Sequence, residues 1–277
     1  MWCWPNPASG VSRIASLLLL GMLAAGCAIF ESREEIPLKR ATAEELTALL
    51  RQRELAIQTM KGLFSAKVRG GIIPIATRVE GTVYYRRPHA MRLRGFTAIG
   101  SELFEFVQAE DRYTLRLPTM GRVLSGRPDD MSEMGKLARP FQLSVWAMRG
   151  VLGTGTVGAD ETVQLVEETD RYRLDVSRPS PGGATFVHRR LWFNRHTLLV
   201  VKEDRLTETG DTDATIEYED FRPVGDPVAG GAPSEDGRLL RPFKIMLEDG
   251  RGQGSVQVTF HELIPNVTLK PTELAQG

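Results

Sequence analysis

The chain has 277 residues, of which 42% are hydrophobic and 25% charged, an ordinary balance for one large globular domain or two small ones. Lysine plus arginine equals aspartate plus glutamate at 35 each. A neutral chain without a basic stripe offers nothing to a nucleic acid backbone. The 2 cysteines, Cys3 and Cys27, both precede the body, which excludes a disulfide framework or thiolate metal centre there.

Arg13 is the only charged side chain before Glu31, and the apolar run Ile14 to Ala25 follows it. That run is too short to cross a bilayer core of about 30 Å as a helix and fits the hydrophobic region of a secretory signal. It closes on Leu23-Ala24-Ala25-Gly26-Cys27, which resembles the lipobox of bacterial lipoproteins. The resemblance implies cleavage between Gly26 and Cys27 and diacylglyceryl transfer to the Cys27 thiol. The alternative is an ordinary signal peptide with a chance cysteine. Residue 28 is alanine. In enteric-type sorting an aspartate there retains a lipoprotein at the inner membrane. The expectation is therefore a lipid-anchored protein of the cell envelope, on the outer membrane and facing the periplasm.

Residues 1–26 are thus expected as signal peptide and 27–40 as a lipidated tether. The domain proper should span 41–265, with a C-terminal tail at 266–277. Thr42-Ala43-Glu44-Glu45 has the form of a capping box. Leu46, Leu49, Leu50, Ile57 and Met60 recur at helical spacing, and Gly62 is placed to end that helix. The period then changes to two. Apolar and polar residues alternate in 64–69, 79–86, 91–94, 102–108, 112–117, 162–167, 171–177, 185–193, 197–205, 213–221, 241–248 and 254–262.

Alternation marks strands with one dry face. The fold class is α+β and mainly antiparallel β, a large curved sheet or incomplete β-barrel of about 11 strands. A second helix interrupts the series: Leu137, Phe141, Val145, Met148 and Leu152 form its apolar stripe, with Pro140 in its first turn. The concave face of the sheet is the natural cover for that stripe. The Gly/Pro/Asp-rich segment 222–240 predicts a flexible excursion between two strands.

This order of elements resembles the LolA/LolB lipoprotein carrier superfamily, and its lipid-anchored LolB-like branch in particular. The resemblance rests on Met60 to Val68, Val79 to Pro88, Met91 to Phe96 and Arg241-Pro242-Phe243-Lys244-Ile245. It implies helices covering the concave face, enclosing an apolar cavity for acyl chains of a lipoprotein or lipid. Phe141, Val145, Trp146, Met148 and Leu152 are the cavity and lid candidates, with Met91, Met120 and Met134 as further adaptable apolar groups. It implies a protruding loop after the third strand, where Phe96 or Ile99 would meet the membrane. A periplasmic carrier protein is the partner it implies.

No His-Glu-x-x-His, Gly-x-Ser-x-Gly or phosphate-loop motif occurs. His188 and His196 offer no ligand cluster, and Asp129-Asp130 is expected as a solvated pair before a helix. No cofactor, metal or catalytic residue is expected. Two other readings stay open: a structural or envelope-assembly lipoprotein using the fold as a docking surface, and a hydrolase with an unrecognised site.

Overall fold

The computed structural model describes residues 1–2, 37–70, 73–127, 139–153, 155–180, 182–226, 237–252 and 254–275, without the side chains of 73–77, 140 and 141. Gly26, Cys27, Asp129, Asp130, Met134 and Leu137 lie outside these residues. The chain divides into two units, Met1–Pro37 and Leu38–Gly277. Among the described residues, the buried core and the 13-stranded sheet lie in the second unit, so it has what it needs to fold on its own.

Helix α1 (Ala43–Leu55) opens the domain. Its start is fixed as the capping box predicts: the Thr42 amide donates to Glu45 Oε2 at 2.8 Å and the Glu45 amide to Thr42 Oγ1 at 3.3 Å. The helix ends sooner than its apolar spacing predicts. Ile57 and Met60 are buried but not helical, and Gly62 does not end the helix. Met60 and Gly62 already belong to strand β1 (Thr59–Gly70), whose inward side continues through Phe64 and Ala66. Residues that satisfy a helical period and a period of two at once are decided by tertiary pairing, here with the neighbouring strands.

On one side of β1 lie β2 (Ile73–Arg86), β3 (Ala90–Phe96), β4 (Glu102–Ala109), β5 (Arg112–Leu117) and β6 (Arg122–Gly126). The later strands are β7 (Thr162–Glu167), β8 (Arg171–Pro179), β9 (Thr185–Asn194), β10 (Val200–Leu206), β11 (Thr212–Val224), β12 (Leu239–Asp249) and β13 (Gly254–Pro265). They make one open 13-stranded sheet in the order β6-β5-β4-β3-β2-β1-β13-β12-β11-β10-β9-β8-β7. Each neighbouring pair is antiparallel, so the mainly antiparallel fold class is the one observed. The short strand β6 was not expected, because its exposed residues carry no alternation.

Joining β6 to β7 means travelling from one edge of the sheet to the other. The chain does this through helix α2 (Arg139–Leu152), which crosses the middle strands β1, β11, β12 and β13. The topology thus puts a helix on the inner face. Arg139 pins its start, 2.7 Å from Asp249 and 3.0 Å from Asp213. Beneath it the inward residues Ile216, Ile245, Leu247, Val256, Val258 and Phe260 form the centre of the core.

Two expected boundaries shift. The excursion drawn at 222–240 is narrower, because Arg222 pairs with Arg241, Pro223 with Leu240 and Val224 with Leu239. The C-terminal segment ends in a short turn of helix, α3 (Pro271–Leu274), beside β2 and β3. There the Thr272 carbonyl accepts from Arg92 Nη1 at 2.9 Å, and Arg92 is also paired with the buried Glu105.

Candidate functional site

Helix α2 has two working faces. Leu143, Ala147, Met148, Gly150 and Val151 are buried, and Gly150 rests against the Tyr218 ring of β11. Turned away from these at 100° per residue are Gln142, Val145, Trp146, Arg149 and Leu152, all of which line a cavity of about 610 Å³. That volume suits a small-molecule site, for which about 300–1,000 Å³ is usual. Tyr85, His89, Met91 and Gln108 from β2–β4 form part of the wall. Thr156, Arg178, His188, Arg189 and Arg205, most of them from β8–β10, form another part.

The predicted cavity residues therefore separate. Val145, Trp146 and Leu152 line the cavity, whereas Met148 is 1% exposed in the core beneath the helix. The Phe141 side chain lies outside the described residues. Met91 is in the wall, and Met120 is half-exposed after β5. Phe96 is not a loop residue: it ends strand β3 opposite Glu80, with the Arg94 guanidinium 4.9 Å from its ring centroid. The turn after it is tight, closed by the Thr97 amide donating to the Ser101 carbonyl at 2.9 Å and by Gly100 at φ +83°. Ile99 sits in that turn and is 89% exposed.

The wall is not uniformly apolar, which corrects the expectation of a dry pocket. Arg149, Arg178, Arg189 and Arg205 all line it, against the single carboxylate of Glu54 among the described residues. Arg205 sits 3.0 Å from the buried Glu203, with its guanidinium 4.6 Å from the Trp146 ring centroid. Burial raises the Tyr218 pKa well above the phenol range, so Tyr218 Oη donates to Glu203 Oε2, at 3.3 Å. Tyr218, Glu203, Arg205 and Trp146 therefore link the core to the cavity wall.

A backbone irregularity sets the other cations. Val176 pairs with Arg189 but Ser177 with Val187, so His188 is the extra residue of a β-bulge. The bulge lets the consecutive side chains of His188 and Arg189 both reach the cavity. Arg189 is 7% exposed and donates Nη2 to the Thr156 carbonyl at 3.2 Å. His188 Nε2 lies 2.8 Å from Glu161 Oε1.

Burial lowers the His188 pKa below its ordinary 6.5; Glu161 opposes this, while Arg189 and Arg178 add to it. The unfolded chain then takes up a proton that the folded one resists. The resulting stability is complete above about pH 6.5 and is lost as the pH falls below it. Urea unfolding is expected to show a lower midpoint at about pH 5.5 than at about pH 7.5, above the range where carboxylates titrate. His188→Gln should reduce that difference; an unchanged difference would remove His188 as its source.

Sequence reasoning missed the arginines because strand charges ordinarily face water. A signal was present in Lys202-Glu203-Asp204-Arg205 and His188-Arg189-Arg190. In a strand of period two, a run of consecutive charges sends some of them to the dry side.

No family model matches the chain, and no curated protein matches it. Solved structures share its fold. A DUF1329 family protein from Desulfovibrio piger gives a TM-score of 0.56 at 11% identity, over 85% of this chain and 98% of that one. A putative outer membrane lipoprotein-sorting protein domain from Vibrio parahaemolyticus gives 0.53 at 10% identity, over 84% and 97%. A LolA superfamily protein from Nitrosomonas europaea gives 0.52 at 13% identity, over 86% and 99%. The likeness is one of fold: this chain has a LolA-like open curved sheet.

Proposed function

We propose that this protein is a lipid-anchored carrier of the LolB-like kind, tethered to the outer membrane through Cys27 and facing the periplasm. It takes up acyl chains during lipoprotein or lipid transfer. The observation that carries this reading is the cavity of about 610 Å³ between α2 and the concave face, with Val145, Trp146 and Leu152 in its wall. The fold it shares with the lipoprotein-sorting domain and the LolA superfamily protein supports the same reading. Ile99, exposed in the β3–β4 turn, is the membrane contact in this scheme. A periplasmic carrier protein is the source of the cargo.

In this reading the protein is not an enzyme. Half of the ionisable side chains lining the cavity, Arg149, Arg178, Arg189 and Arg205, are guanidiniums, which stay charged and are poor at moving protons. Native mass spectrometry of the full-length protein, extracted from its own membrane, tests the proposal. A bound acyl-bearing ligand, beyond the lipid on Cys27, is the expected result. Uniformly ligand-free protein that also fails to take up a fluorescent apolar probe over a concentration series would overturn it.

A further inference from the structure

An acyl chain by itself has no use for the guanidiniums of Arg149, Arg178 and Arg189 in the wall. Charged groups beside bound hydrocarbon lose hydration and gain nothing in return. Arg189 is already 7% exposed, and the cavity next to it holds about 610 Å³. Arg178 lies near the end of β8, on the same face as Leu174 and Val176, and its guanidinium is 5.4 Å from the Phe186 ring centroid. Among the described residues it has no carboxylate partner. Arg149 reaches the same cavity from α2. Val145, Leu152 and Met91 supply apolar wall in the same space.

We infer that the cavity binds an anionic amphiphile. A phosphate or carboxylate head is held by Arg149, Arg178 and Arg189, while its hydrocarbon lies along Val145, Leu152 and Met91. This deepens the carrier reading and rests on it. Guanidinium forks match both oxyanions, because two parallel N–H donors meet two oxygens. Arg205 stays engaged with Glu203 and Trp146 and acts as fixed wall. Protonation of His188, which faces Glu161, Arg189 and Arg178, adds positive charge next to the head in acid.

The test uses the Leu38–Gly277 unit and titration calorimetry with dodecyl phosphate, dodecanoate, dodecanol, dodecyltrimethylammonium and inorganic phosphate. The two anionic amphiphiles are expected to bind at least about tenfold more tightly than dodecanol, since hydrogen bonds to charged groups contribute about 1.5–3 kcal/mol each. The cationic amphiphile should bind most weakly, and added salt should narrow the spread. Arg149→Gln/Arg178→Gln should bring the anion-to-alcohol ratio close to one. Both positions are exposed, so the fold is not at risk, and single Arg178→Gln is the backup.

If all four amphiphiles bind alike, or the double variant keeps the full preference, the headgroup inference fails and the carrier reading stands. If none binds, both fail. If inorganic phosphate binds as tightly as dodecyl phosphate, the site takes a free oxyanion and the amphiphile is wrong.

Discussion

Gly150→Ala is expected to lower the stability of the domain by about 2 kcal/mol, although alanine is the better helix former by about 1 kcal/mol. An alanine Cβ would lie 2.2 Å from Tyr218 Cε1 and 2.5 Å from its Oη, well inside contact distance. Tyr218 is 3% exposed and hydrogen-bonded to Glu203, so its ring has nowhere to go. Either the helix lifts from β11 or the Tyr218–Glu203 contact opens. Both disturb Arg205 and Trp146, and through them the cavity. The urea midpoint should therefore fall without a change in slope, and ligand affinity should fall with it. A variant as stable as the parent would mean that α2 is free to shift over β11, and that the cavity is looser than its geometry shows.

Whatever depends on pattern was legible in the sequence. The capping box fixed the start of α1, and period-two alternation placed twelve of the strands of the 13-stranded sheet. What eluded pattern depends on choices between patterns. Met60 fits a helix and a strand equally well, and only its pairing with Tyr85 and Pro265 decides. Phe96 stands next to turn residues, but its pairing with Glu80 and Glu102 keeps it in β3.

The stripe on α2 was found, yet its orientation was not. Small residues at 147 and 150 let the helix approach β11–β13 closely, and a hydrophobicity count gives such residues little weight. The chemical character of the cavity was hardest to see. It depends on the bulge at His188 and on Arg178 and Arg205, which share the inner face with Val176 and Leu191. A one-residue bulge exchanges inside for outside locally, and nothing in composition announces it.

Under the proposed lipidation, Cys27→Ala is expected to have the largest effect, because it would remove the anchor altogether. Each buried methylene contributes about 0.8 kcal/mol, so one acyl chain binds a membrane marginally and two hold it stably. Among the described residues no helix is long and apolar enough to cross a membrane. Fatty-acid labelling of the variant should disappear, and the chain should keep its leader or leave the membrane fraction. Normal labelling of the variant would refute lipidation at Cys27. The cavity belongs to the Leu38–Gly277 unit, so amphiphile binding by that unit should not depend on the cysteine. A variant that binds ligand in solution but no longer supports transfer in cells would show that tethering supplies proximity and the cavity supplies recognition. Loss of both together would instead make the lipid part of the binding site.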